Sequence, residues 1–259
     1  MDVGGLLLDI DGVLAVSWEP LPGAIDALGW LRSQGIPFRL ITNTTTLPRE
    51  DLAVTLQHAG FDVTPADIVT AVVATAEYLR TNHPGSRTFL LSDGDARSDL
   101  EGISLVGSDE PADVVVIGGG CPDFSYAALN HCFDQLMDGA ALVGMHRNMY
   151  WATSEGLQLD GGAFIAALEA ATGTQAVICG KPSAAYFHAA LELMGAMPDR
   201  AAMVGDDVVN DVLGAQAIGM TGVLVRTGKF RPADLERPEG APDHVIGSFA
   251  ELPAWLRGS

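Results

Sequence analysis

Two aspartates separated by one residue, Asp9 and Asp11, close the apolar run LLLDIDGVL. Three further polar clusters also follow apolar segments: TNTTT from Thr42, GKPS from Gly180 and GDDVVND from Gly205. Together they hold the residue types that phosphoryl transfer needs. Asp9, the backbone carbonyl of Asp11 and Asp206 offer hard oxygen ligands to Mg²⁺, which favours octahedral coordination and keeps some of its waters. Thr42 and the amide of Asn43 can donate to phosphoryl oxygens where the start of a helix leaves donors unpaired. Lys181 adds a compact positive charge. In this chemistry Asp9 attacks phosphorus and forms a covalent intermediate. Asp11 protonates the leaving oxygen, then takes a proton from the hydrolysing water. The cations are required because a carboxylate and a phosphate dianion repel each other.

These residues lie far apart in the chain, so the elements between them must bring them together. Val3 to Leu8 is apolar apart from glycine and reads as a central parallel strand covered on both faces. PLPGAIDALGWLRSQG reads as a helix with Ala24, Leu28 and Leu31 on one face, IPFRLITNT as a strand, and LPREDLAVTLQHAG as a helix. PADIVTAVVATAEYLRTN reads as a helix starting near Thr64 or Pro65. RTFLLSDG, DVVVIGGG and AALVGM read as strands, with helices in FSYAALNHCFDQLMDG and AFIAALEAATG and a loop over HRNMYWATSEGLQLDGG. QAVICG, AAMVG and TGVLV complete the main strands, with KPSAAYFHAALELMG and DVVNDVLGAQAIG as helices. TGKFRPADLERPEGAPDH reads as an irregular surface loop, and DHVIGSFAELPAWLRG as a last strand and helix. This alternation predicts an α/β fold with a parallel sheet and right-handed crossovers. The four polar clusters then share the carboxyl edge of that sheet, where open sheets place ligands. Each alone reads more readily as a turn or solvated loop; their common placement favours one site.

With 33 acids against 14 bases, the chain has a formal net charge of -19, which excludes sliding on a nucleic-acid polymer. Small anions remain compatible, because a divalent cation reverses the local field. Cys121, Cys132 and Cys179 show neither metal-ligand nor disulfide spacing, and read as reduced, partly buried thiols. An acid at position 2 and the absence of a basic leader argue against a signal peptide, and the apolar runs are too short to cross a membrane. A cytoplasmic protein with no membrane partner is the expectation.

DIDGVL, ITNT, GKPS and GDDVVNDVLGAQAIGM resemble, in kind and order, the four motifs of the haloacid dehalogenase superfamily. The long insert between the second and third motifs is similar to the large C2-type α/β cap of its subfamily IIA, the NagD and 4-nitrophenylphosphatase-like branch. Within that branch the run GDDVVNDVLGAQAIGMTGVLVRTGKFRP most resembles the phospholysine phosphohistidine inorganic pyrophosphate phosphatases and their close relatives. The resemblance implies a Rossmann-like catalytic core over residues 1–74 and 176–259, with an inserted cap over 75–175. It implies a Mg²⁺-dependent phosphatase acting on a small phosphorylated substrate, and allows phosphoramidate or pyrophosphate hydrolysis. It makes Asp9 the nucleophile, Asp11 the general acid and base, and Lys181 the residue that orients and neutralises. It implies that Thr42 and Asn43 bind phosphate. It also implies that Asp9, Asp11 and Asp206 hold the metal, with Asp207 and Asp211 contributing behind them or through water. For Asp207, simple exposure to solvent stays an alternative. Assembly as a homodimer through the cap stays open.

In the insert, His146, Arg147, Asn148, Tyr150 and Trp151 bring cation, amide and aromatic types into one loop. His146, Arg147 and Asn148 are the candidates for selecting the leaving group. The alternative is an ordinary connection with Trp151 packed beneath it. Two other functions compete: a non-catalytic phosphate or nucleotide-binding protein, and a phosphomutase that returns the phosphoryl group. A dinucleotide enzyme is disfavoured because no GxGxxG follows the first strand, and Gly118 to Gly120 lack that spacing.

Overall fold

The structure, a computed structural model, describes residues 3–120, 124–153 and 156–258. The chain divides into two compact units. One comprises residues 1–42, 49–69 and 181–259, and the other comprises residues 43–48 and 70–180.

The first unit is built on a six-stranded sheet. From one edge to the other its strands are His244–Ile246, Thr221–Val225, Ala201–Gly205, Gly5–Asp9, Phe38–Thr42 and Ile68–Thr70. Gly5–Asp9 sits centrally and runs parallel to both neighbours. Its side chains alternate between two apolar layers. Leu6 and Leu8 pack with Leu40, Val204, Val223 and the face of helix Ala24–Ser33 that carries Ala24, Ala27, Leu28 and Leu31. Burying a leucine of this kind stabilises the fold by about 1.5–3 kcal/mol, which offsets the cost of burying the carboxylate at the end of the strand. This is a Rossmann-like α/β core.

The second unit has its own five-stranded sheet, ordered Val177–Ile178, Ala141–Gly144, Val114–Ile117, Arg87–Leu91 and Ser104–Val106, with every adjacent pair parallel. The run VVVI again alternates. Val114 and Val116 meet helix Ala71–Asn82, whereas Val115 and Ile117 meet helices Tyr126–Met137 and Gly161–Thr172. Among the described residues, no helix of either unit is long and apolar enough to cross a membrane.

Several local readings change. Ile68–Thr70 is a strand rather than the start of a helix, because its β-branched run completes the sheet edge and Thr70 then caps helix Ala71–Asn82 through Val73. The presumed loop after His146 contains an antiparallel hairpin, Tyr150–Thr153 with Gly156–Leu159. QAVICG, grouped above with the core, pairs through Val177 and Ile178 with Val143 and Gly144 of the inserted sheet. Two residues suffice for that edge pairing, whereas nothing in their types says which sheet they join.

Candidate active site

Asp9 ends the central strand opposite Ile41, one residue before Thr42, while Leu8 pairs with Val204 and so sets Asp206 just beyond the adjacent strand end. Three of the expected clusters therefore meet at one sheet edge. The fourth arrives differently. Lys181 follows no strand of this sheet, yet its ammonium lies 2.7 Å from Asp9 Oδ1 and 2.7 Å from Asp211 Oδ1. It is 3% exposed. Burial works against its charge, but Asp211 and Asp9 outweigh that and raise its pKa, so the ammonium stays protonated. Asp9 Oδ1 also accepts the Ile10 amide at 2.9 Å.

One carboxylate oxygen each from Asp9, Asp206 and Asp211 lies within 4.8 Å of the other two. Burial, then the neighbouring Asp9 and Asp211 charges, push the Asp206 pKa up; burial and Asp9 do the same to Asp211. Three carboxylates with one shared lysine are short of positive charge. Asp206 Oδ2 accepts the Lys229 amide at 2.7 Å, whereas Oδ1 is buried with no hydrogen-bond partner among the described residues. An orphaned carboxylate oxygen inside an all-oxygen, acidic cluster fits a hard divalent cation such as Mg²⁺. It is a metal-binding site by its donor set.

Asp207 has no such vacancy. Its Oδ1 accepts the amides of Val209 and Asn210 at 3.1 and 3.0 Å, and its Oδ2 accepts the Asn210 side chain at 2.9 Å. It caps the wide π-helical turn Val208–Leu213, and Lys229 and Asn210 lower its pKa despite the opposing effect of burial. Asp211 Oδ2 in turn accepts the Asp207 amide at 3.1 Å. Asp11 lies past the strand and is exposed. Even so, the protein packed round its carboxyl raises its pKa, against the pull of Lys229 and Lys181.

Thr42 is buried at the end of its strand, and its amide donates to the Tyr186 hydroxyl at 3.2 Å. That hydroxyl donates to the Val69 carbonyl at 2.6 Å. Asn43 begins the excursion into the second unit. In that unit His146 is buried, with Nε2 3.8 Å from Asp160 Oδ1, and its Nδ1 accepts the Asn148 amide at 3.3 Å. Arg147 forms an ion pair with Glu169, whose other oxygen accepts the Ala176 amide at 2.9 Å. The side chain of Trp151 and all of Cys121 lie outside the described residues; Cys132 and Cys179 are buried free thiols.

The family described as haloacid dehalogenase-like hydrolase matches residues 6–105, and the HAD-hydrolase-like family matches residues 178–252. The chain is 39% identical over 244 residues to the human haloacid dehalogenase-like hydrolase domain-containing protein 2, covering 94% of this chain and 92% of that one. The chain belongs to the haloacid dehalogenase-like hydrolases. It is 36% identical over 255 residues to human phospholysine phosphohistidine inorganic pyrophosphate phosphatase, covering 96% of this chain and 92% of the relative. Among solved structures it resembles the p-nitrophenyl phosphatase of Archaeoglobus fulgidus, with a TM-score of 0.92, 27% identity and coverage of 99% and 100% of the two chains. A fold of this hydrolase type with an inserted α/β unit accounts for both sheets.

Sequence reasoning missed two contributors in this hydrolase. Tyr186 lies within the segment KPSAAYFHAALELMG, where nothing local shows that its hydroxyl reaches two strand ends. The loop carrying Thr227, Gly228 and Lys229, a surface loop by its sequence, leaves the carboxyl end of strand Thr221–Val225 beside Ala201–Gly205. The rule that placed the four polar clusters could have found it.

Proposed function

We propose that this hydrolase is a Mg²⁺-dependent phosphatase that cleaves a small phosphorylated molecule through an aspartyl-phosphate intermediate. The single observation that carries the reading is the shared Lys181, 2.7 Å from both Asp9 and Asp211, beside the orphaned Oδ1 of Asp206. Asp9 is the nucleophile: its carboxylate oxygen forms a bond to phosphorus as the bond to the leaving oxygen breaks. Asp11, with its pKa raised by its surroundings, delivers a proton to that oxygen. As a carboxylate it then takes a proton from water, which attacks phosphorus and releases phosphate and free Asp9. Lys181 holds the nucleophile in place and offsets charge gathered on the phosphoryl oxygens. Thr42 and Asn43, at the end of the neighbouring strand, bind those oxygens. Asp9, Asp206 and the carbonyl of Asp11 would hold Mg²⁺, which when bound supplies positive charge against the repulsion between carboxylate and phosphate dianion. Asp211 acts through Lys181, and Asp207 through the helical turn that it caps.

Phosphoramidates and pyrophosphate belong in the substrate panel, because one relative is a phosphatase named for phospholysine, phosphohistidine and inorganic pyrophosphate. A cytoplasmic setting fits the unpaired, buried Cys132 and Cys179. Exposed Met149, Tyr150 and Leu159 along the hairpin support a homodimer through the inserted unit.

The test is phosphate release from p-nitrophenyl phosphate and a panel of monoesters, phosphoramidates and pyrophosphate, with Mg²⁺ and with EDTA. Release that depends on Mg²⁺ is expected. Tight phosphate binding without release from any compound would make this a binding protein, and a rearranged phosphosugar would make it a mutase.

A further inference from the structure

Asp206 and Asp207 are adjacent, chemically identical side chains, yet they meet opposite fates. Asp207 has both oxygens taken by donors, including the Lys229 ammonium at 3.4 Å from Oδ2. Asp206, 1% exposed, has one oxygen taken and one left over. Asp207 is held by its own turn, whereas Asp206 is held by the loop after strand Thr221–Val225. The Thr227 hydroxyl donates to the Gly12 carbonyl, pinning this loop to the turn that follows Asp11. Gly12 and Gly228 then form the two walls of a slot. A Cβ on Gly12 would come within 2.0 Å of Asp206 Oδ2, and one on Gly228 within 1.9 Å. Both glycines adopt positive φ, 78° and 61°, which a side chain would strain even without the collision. At the end of the slot the Lys229 amide donates to the same Oδ2 at 2.7 Å.

The choice of donor matters. A neutral amide fixes the rotamer of Asp206 without cancelling its charge, while an ammonium in that place would neutralise it. Lys229 directs its amide to Asp206 and its ammonium to Asp207. We propose that the Thr227–Lys229 loop is a positioning element that presents Asp206 to the divalent cation: it immobilises one Asp206 oxygen and leaves the other for the metal. The inference rests on the reading of Asp9 and Asp206 as cation ligands. A ligand fixed beforehand loses less conformational freedom on binding, so the loop sets cation affinity without touching the cation.

The experiment is calorimetric titration of Mg²⁺ into the EDTA-stripped full-length protein, with circular dichroism to confirm folding. Thr227→Val keeps the shape and removes the donor; Thr227→Ser keeps the donor. We expect Thr227→Val to weaken Mg²⁺ binding about tenfold and Thr227→Ser to stay within about twofold of wild type, the scale of one hydrogen bond. Gly228→Ala should weaken it further, and Thr227→Ala replaces Thr227→Val should that variant not fold. A wild-type protein that binds no Mg²⁺ would remove the ligand reading and this inference with it. Wild-type binding matched by folded Thr227→Val would overturn the positioning role alone.

Discussion

Lys181 and Asp211 meet at 2.7 Å with both side chains buried, and Asp9 shares the same ammonium at the same distance. Breaking a buried ion pair by removing one partner leaves an uncompensated charge, which is costly at about 3–5 kcal/mol. We predict that Lys181→Met lowers stability on that scale, measured by urea unfolding in EDTA near neutral pH. Turnover at saturating Mg²⁺ should fall by at least about 10²-fold. A variant as stable as wild type would show that the lysine is not balancing these carboxylates.

Asp9→Asn should abolish the covalent phosphoenzyme while leaving the fold intact, as read by trapping labelled phosphate in acid. Asp11→Asn should still form it with an aryl phosphate, whose leaving group needs little protonation, and should lose most activity towards alkyl phosphates. Equal losses with both leaving groups would remove Asp11 from the proton-transfer role.

Mg²⁺ should stabilise the protein more at about pH 8 than at about pH 5, because protons and the cation compete for the same carboxylates. The sign follows from Asp206 and Asp211, whose folded pKa values lie above the ordinary 3.8. Without metal, their contribution is fully present below that ordinary value and is lost as pH rises through the folded values. The cation restores what is lost, by about 2.7 kcal/mol at a hundredfold excess over its Kd. Thermal unfolding with Mg²⁺ and with EDTA across this range checks it. A metal increment that is flat with pH would mean that the cation binds elsewhere.

Replacing His146, Arg147 and Asn148 together should reorder kcat/KM among phosphate esters, phosphoramidates and pyrophosphate by about tenfold or more. Inhibition by inorganic phosphate, which has no leaving group, should change less. Since Arg147 pairs with Glu169, Arg147→Ala alone should also lower stability, by about 1–3 kcal/mol, through a buried carboxylate left short of partners. An unchanged rank order in a folded triple variant would place selectivity in another loop.

What the sequence revealed depended on whether a residue acts through its neighbours in the chain or across the fold. The DID turn, ITNT and GDD were legible because a buried parallel strand fixes where its carboxyl end must lie. Lys181 was legible as a type and illegible as a route, since its preceding strand joins the other sheet. Ile68–Thr70 is too short for periodicity to separate strand from helix. The partners of His146 and Arg147, Asp160 and Glu169, are distant in sequence and come to them only through the fold of the second unit.

Three of the four boundaries between the two units fall on chemically occupied residues. Thr42 is the last residue before the first excursion, Val69 the last before the second, and Lys181 the first on return from the second. Anyone building chimaeras from this scaffold therefore has little freedom in choosing junctions. A graft replacing residues 70–180 retains Lys181 and the Tyr186 bond to Val69, whereas one extended a single residue further exchanges the lysine itself. The junction that keeps the lysine and the one that loses it are separated by one peptide bond.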